Sequence, residues 1–247
     1  MHWSHKYLEV VRSLDLDMAE DKRATLILDR MLKGGDTTVL DRLIRDRPVI
    51  VFGCGPSLEN DLNKIWEAEL HKRFVLVAVD GAVKALLEYN IVPHVNVTDL
   101  DGDLNSIVKA NQQGCITVVH AHSENIRTLV KIIPYLKGTV IGTTHSAPTS
   151  KIHNFGGFTD GDRAVYIVEH FKPYFIALAG MDFGHVIGVY SGTYDPVKKP
   201  RGLREGKKLI EYLAAHTKVK IFNLTSGGEI IHNTQLVTVD KLKHIML

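Results

Sequence analysis

The sequence is poor in the features that mark disulfide-rich, membrane-spanning and nucleic-acid-binding proteins. It has two cysteines in 247 residues, Cys54 and Cys115, in no metal-type spacing. A disulfide scaffold and a cysteine zinc site are thereby excluded, and a reducing compartment, the cytoplasm, is expected. No run of about 18 apolar residues occurs, so no transmembrane helix and no membrane partner are predicted. The start, Met1-His2-Trp3-Ser4-His5-Lys6, is charged but has no apolar stretch behind it, which argues against a signal peptide. Charge of one sign is also lacking. Thirty Lys and Arg against 28 Asp and Glu leave a formal +2, which does not mark a nucleic-acid binder.

What remains is a globular composition, 45% apolar and 23% charged. Residues 1–46 read as a helical N-terminal arm, with Trp3, Tyr7, Leu8, Val10, Val11 and Leu14 at helical spacing. A second helix is predicted from Asp17 to Lys33, stopped by Gly34-Gly35, and a third over Thr38 to Arg45, capped by Asp36. This arm either packs on the rest of the chain or makes a homodimer contact, and nothing in it suggests chemistry.

From Pro48 the texture changes. Short apolar runs such as Val49-Ile50-Val51-Phe52, Phe74 to Val79 and Ile116 to Val119 alternate with amphipathic stretches. Continuous apolar strands separated by helices predict an α/β domain over 47–247: a Rossmann-like, mostly parallel sheet with helices on both faces. The stretch from Gly184 to Gly202 has little periodicity and reads as a long loop or lid. In such sheets ligands lie beyond the carboxyl ends of the strands, so the residues directly after each apolar run carry the information.

After the first strand comes Gly53-Cys54-Gly55-Pro56-Ser57, suited either to phosphate contact or to a plain tight turn. The third glycine of a dinucleotide fingerprint is missing, and there is no Gly-Lys-Ser/Thr. After the second strand stands Asp80, which suits a ribose hydroxyl, a metal or a helix cap. After the third lies Thr98-Asp99-Leu100-Asp101-Gly102-Asp103. Alternate carboxylates on an extended segment point the same way, so Asp99 and Asp101 can share a hard cation; the bland reading is an Asx-rich turn. The segment Asn154-Phe155-Gly156-Gly157-Phe158-Thr159-Asp160-Gly161-Asp162-Arg163 suits a phosphate cradle, substrate hydrogen bonding or a loop with an N-cap. Lys198, Lys199, Arg201, Arg204, Lys207 and Lys208 form either a solvated face or a basic loop closing on a polyphosphate. Most of the 13 histidines are isolated; only His120-Ala121-His122 places two imidazoles on one face of a strand end.

Taken together, Asp80-Gly81-Ala82, Pro93 and Thr98-Asp99-Leu100-Asp101 resemble the thiamin pyrophosphokinase pattern. With Gly53-Cys54-Gly55-Pro56-Ser57-Leu58 and Asn154 to Ala164 added, the ordered set looks like the archaeal 6-hydroxymethyl-7,8-dihydropterin pyrophosphokinases. Related domains occur in flagellin-modifying glycosyltransferases. Thr98 and Gly102 depart from the thiamin enzymes, which have glycine and serine there, and weigh against thiamin as acceptor.

The resemblance implies transfer of diphosphate from ATP to the pterin hydroxymethyl group, with release of AMP, in the synthesis of tetrahydromethanopterin or folate-type cofactors. It implies Mg²⁺ held by Asp80, Asp99 and Asp101. Nucleotide and substrate contacts are then expected from Gly53, Gly55, Pro56, Ser57, Asp103, Asn154, Gly156, Gly157, Asp160, Asp162, Arg163 and Arg204. The alternatives are a metal-dependent nucleotide-sugar glycosyltransferase and a thiamin-type pyrophosphokinase.

Overall fold

The computed structural model describes residues 18–245, so the helix expected before residue 17 lies outside the described residues. Two helices come first, α1 (Met18–Met31) and α2 (Thr38–Ile44). Asp36 stands one residue before the cap position of α2, which is Thr37, and its carboxylate accepts from the Thr38 amide at 2.9 Å and from the Thr38 hydroxyl at 2.8 Å.

The sheet then builds in alternation with helices. Its strands are β1 (Pro48–Phe52), β2 (Val75–Val79), β3 (Val95–Thr98), β4 (Ile116–His120) and β5 (Val140–Thr143). They are followed by β6 (Ile152–His153), β7 (Phe175–Ala179), β8 (Lys220–Asn223) and β9 (Gln235–Leu236). The intervening helices are α3 (Leu58–Glu67), α4 (Ala82–Glu88), α5 (Leu104–Gln112), α6 (Ile126–Ile132), α7 (Asp160–His170) and α8 (Lys198–His216), with α9 (Val239–Ile245) at the end.

All nine strands are parallel, in the order β6-β5-β4-β3-β2-β1-β7-β8-β9. The chain winds outward from β1 to β6, then returns to place β7 on the other side of β1. That reversal creates a crevice at the carboxyl ends of β1 and β7.

Continuous apolar strands are required because both faces are covered. Ile50 and Phe52 of β1 pack into one layer with Leu58, Leu62 and Ile65 of α3. Val49 and Val51 pack into the other with Val165 and Val168 of α7 and Leu209 and Ile210 of α8. Side chains alternate across a strand, so each strand serves both cores. α1 belongs to the first layer: Ala24 and Leu28 are fully buried there, beside Leu32. Among the described residues no helix is long and apolar enough to cross a membrane.

One difference from the sequence reading bears on the site. Residues 198–202, expected in a loop, form the first turn of α8. Pro200 is the third residue of that helix, where its missing amide costs nothing, so proline there marks a start. The segment from 184 to 197 is indeed irregular, and it is docked on the sheet. The Ser191 hydroxyl donates to the Cys54 carbonyl at 3.2 Å, and the Tyr190 hydroxyl reaches Glu59 and Glu88.

Candidate active site

The carboxyl ends of the strands open into a cavity of about 840 Å³, large enough for two small molecules. Its centre is a cluster of acids. Ligand oxygens of Asp80, Asp99 and Asp160 lie within 4.8 Å of one another. They come from the ends of β2 and β3 and from the first residue of α7.

Local backbone fixes each of them. Asp80 and Leu100 adopt positive φ, 44° and 68°, conformations that cost non-glycine residues about 1 kcal/mol and cluster at functional sites. These turns bring the Thr98 hydroxyl to Asp80 Oδ1 at 2.7 Å and the Gly102 amide to the same oxygen at 3.1 Å. The Asp99 amide donates to Asp160 Oδ2 at 2.9 Å, and Arg163 Nη1 donates to Asp160 Oδ1 at 2.6 Å. His122 Nε2 stands 3.2 Å from Asp99 Oδ2.

The electrostatics are those of crowded negative charge. Burial and then the Asp99 charge raise Asp80, and the same two causes push Asp160 up to about 7. Burial works against Asp99 as well, but the hydrogen bond and charge of His122 hold it down at about 2. Asp101 stands at the solvent-exposed rim. The protein packed around it, then Asp99 and Asp80, push its carboxyl up to about 11. Three carboxylates that disfavour one another's ionisation, with oxygen donors only, fit a hard divalent cation. Asp80, Asp99 and Asp160 could hold such a cation, and Asp101, which the sequence reading paired with Asp99, adjoins both Asp80 and Asp99.

Of the other residues singled out by sequence, Gly53, Gly55, Pro56, Asp160 and Arg163 line the cavity. Ser57, Asp103, Asn154, Gly156, Gly157, Asp162 and Arg204 do not. The Ser57 hydroxyl lies 2.9 Å from both Asp61 and Asp182, and its amide donates to Asp182. A carboxylate of the protein therefore occupies the amino end of α3, where a phosphate was an option. Asp103 caps α5, its Oδ1 accepting from the Ser106 amide at 2.8 Å. Asn154 donates to the carbonyls of His145 and Ser146. Asp162 forms a capping box with Thr159. Gly156 and Gly157 take positive φ, and a Cβ on Gly157 would lie 2.3 Å from Arg163 Cα. These are structural duties.

Sequence reading missed one whole wall. Asp21, on the arm thought to carry no chemistry, lines the cavity beside His145, His120 and Thr128. The histidine pair at the end of β4 was the one signal pointing there. Of the basic run, Lys198, Lys199 and Arg201 line the cavity, whereas Lys207 pairs with Glu229 and Lys208 with Glu205.

A doubly wound sheet with a triad of acids at its strand ends, across a cavity from lysine and arginine, defines a transferase-type α/β enzyme that handles phosphate groups. The family described as 6-hydroxymethylpterin diphosphokinase MptE-like matches residues 24–188, and the chain belongs to that family. A protein of Methanothermobacter thermautotrophicus named 6-hydroxymethyl-7,8-dihydropterin pyrophosphokinase is 39% identical over 228 residues, covering 89% of this chain and 97% of that one. A protein of the same name from Methanocaldococcus jannaschii is 37% identical over 229 residues, covering 85% and 94%. In fold, the chain is similar to the Maf glycosyltransferase of Magnetospirillum magneticum. The TM-score is 0.56 at 16% identity, over 94% of this chain and 42% of that one.

Proposed function

We propose that the protein transfers diphosphate from ATP to the hydroxymethyl oxygen of 6-hydroxymethyl-7,8-dihydropterin, with Mg²⁺ held by Asp80, Asp99 and Asp160. The product would feed synthesis of a tetrahydromethanopterin or folate-type cofactor. The observation that carries this reading is the convergence of those three acids within 4.8 Å on a cavity that Lys198, Lys199 and Arg201 also line.

In the reaction the acceptor oxygen bonds to the β-phosphorus of ATP. The bond from that phosphorus to the oxygen bridging it to the α-phosphate breaks, AMP departs with that oxygen, and the hydroxyl hydrogen leaves as a proton. Bound magnesium supplies neutralisation of phosphate charge. The chain's own residues do the positioning. Thr98 and Gly102 fix Asp80, while Arg163 and the Asp99 amide fix Asp160. Lys198, Lys199 and Arg201 draw in the polyphosphate and stabilise charge on the leaving AMP. A loose transition state lets the alcohol proton leave late, so a strong base is not required.

The test is incubation with ATP, Mg²⁺ and the dihydropterin, following AMP and the pterin diphosphate by chromatography. AMP formation that depends on pterin and is abolished by EDTA and by Asp99→Asn supports the reading. Folded protein that makes no AMP refutes it.

A further inference from the structure

The wall that sequence reading missed holds an ordered chain of polar groups. Asp21 Oδ2 lies 2.7 Å from His145 Nε2, His145 Nδ1 lies 3.1 Å from His120 Nε2, and His120 Nδ1 lies 3.2 Å from the Thr143 hydroxyl. The other oxygen of Asp21 accepts from the Ser123 amide at 2.8 Å. Asp21, His120 and His145 are all buried.

The direction of hydrogen bonding follows from one charge. Burial opposes ionisation of Asp21, but His145 and Ser123 together hold its pKa below the ordinary value. An ionised Asp21 only accepts, so His145 Nε2 carries hydrogen. Burial lowers both His120 and His145, leaving neutral rings. His145 Nδ1 then accepts from His120 Nε2, and His120 Nδ1 accepts from Thr143. Every ring nitrogen is used inside the chain. The cavity is offered ring faces and the remaining acceptor capacity of Asp21, since a carboxylate has room for about four hydrogen bonds.

A buried carboxylate with two imidazoles is expensive, and a fold that needed only packing would be as stable with apolar residues there. α1 is also clamped where it carries Asp21. The Thr25 hydroxyl meets Thr144 Oγ1 at 2.8 Å and the Asp21 carbonyl at 2.9 Å. Phe158 completes the wall, its ring at 23° to that of His145 with centroids 6.3 Å apart. Among the described residues, the cavity lining from α1, β4, β5 and the segment after β4 includes no lysine or arginine; Glu124 is paired with Lys198, which leaves Asp21 as the acid facing this end. A flat, neutral heterocycle with adjacent N–H and amino donors is suited to it.

We propose that this end of the cavity is the acceptor subsite, with Asp21 receiving the ring N–H and amino edge of the dihydropterin. His145 and His120 are positioning residues that hold that carboxylate ionised and fixed. The nucleotide takes the end beside Gly53 to Pro56, with Lys199 and Arg201 of α8. This assignment rests on the proposed function, and it places acceptor choice partly on the N-terminal helix.

The test is steady-state kinetics on full-length wild type and Asp21→Asn, with the dihydropterin and with its 2-oxo analogue, which carries an acceptor where the pterin has an amino donor. In Asp21→Asn the KM for the dihydropterin is expected to rise about 100-fold while that for ATP stays within about twofold, because only the acceptor loses its partner. The wild type should discriminate against the 2-oxo analogue, and the variant should lose most of that discrimination. An unchanged pterin KM, or an equal rise in both KM values, overturns the assignment. If the variant does not fold, the histidine ring resonances of wild type decide. Those of His120 and His145 should move with the dihydropterin and not with ATP, and the reverse overturns the assignment. Failure of the parent reading looks different: wild type itself then neither binds the dihydropterin nor makes AMP from it.

Discussion

His122 Nε2 lies 3.2 Å from Asp99 Oδ2 and sets a cation-capable ring against the acid cluster. Burial lowers His122, but the Asp99 hydrogen bond and charge outweigh it and raise its pKa. The pair orients Asp99 from behind, much as outer partners orient metal ligands. His122→Asn should reduce turnover by about 10- to 100-fold and raise the magnesium concentration needed for half-maximal rate. A magnesium titration of wild type and variant at saturating ATP checks this; an unchanged titration curve would remove His122 from the site.

Acidity gives a second prediction, for the metal-free protein. Asp160 is pushed up to about 7, by burial and by Asp99, from an ordinary value near 3.8. The native state therefore holds more protons than the unfolded state between those values, and stability falls as pH rises through that window. The raised His122 adds a contribution that is fully present below about 6.5 and is lost as pH rises through its folded pKa. Both act in the same direction. The buried neutral His120 and His145 act the other way below about 6.5, so the comparison is with Asp160→Asn. Between pH 5.5 and pH 8 metal-free wild type should lose more Tm than the variant, and added magnesium should raise the wild-type Tm more at pH 8. A thermal shift series with and without EDTA measures both.

Asp160 and Asp101 separate the structural triad from the one suggested by spacing. Asp160→Asn should lose the magnesium-dependent rise in Tm and at least about 100-fold in turnover, the scale of removing a charge-stabilising group. Asp101→Asn, at the exposed rim, should lose about tenfold or less. Calorimetric titration with magnesium distinguishes them, and the opposite ranking would restore Asp101 as the third ligand.

The fold was legible because its rules are local. Continuous apolar strands spaced by helices leave few options but a parallel sheet covered on both faces, and the family comparisons and the sheet agree. Asp80 and Asp99 were legible for the same reason, each standing directly after an apolar run. Asp160 was expected to contact substrate or nucleotide, but its approach to Asp80 and Asp99 was not legible, because it depends on α7 starting against the end of β3. Asp21 was invisible. An acid on an amphipathic helix reads as solvated surface until Thr25 and Thr144 dock that helix beside β5. The two-residue strands β6 and β9 are too short for a period to show. A charge run in sequence does not say which turn of α8 faces the cavity; Lys198, Lys199 and Arg201 line it, and Arg204 does not.

That helix supplies a further prediction. Lys199 and Arg201 line the cavity and Arg204 does not. Lys199→Ala and Arg201→Ala should each raise the KM for ATP by about 10-fold or more, since a charge-assisted hydrogen bond to phosphate contributes about 1.5–3 kcal/mol. Arg204→Ala should stay within about twofold of wild type, as an exposed charge change normally does. Initial-rate measurements across ATP concentrations decide it; equal effects at all three positions would point to general electrostatic attraction.

The last prediction concerns the turn after β1. A Cβ on Gly55 would lie 1.9 Å from Asp182 Oδ2 and 2.6 Å from the Gly180 carbonyl oxygen. The carboxylate cannot simply swing aside, because Asp182 is engaged by both the hydroxyl and the amide of Ser57. Nor can the carbonyl retreat: it accepts from the Gly55 amide at 2.8 Å, and the neighbouring Gly180 amide is tied to Asp61 at 2.9 Å. Glycine is therefore set here by close approach of two strand ends, whatever ligand binds above them. Gly55→Ala should destabilise the fold by about 1–3 kcal/mol, the usual cost of forcing extra volume into a packed site. Denaturant unfolding of wild type and variant in EDTA measures that loss apart from any ligand. A variant with wild-type stability but weakened ATP binding would instead show that the turn yields and that Gly55 is kept for the nucleotide.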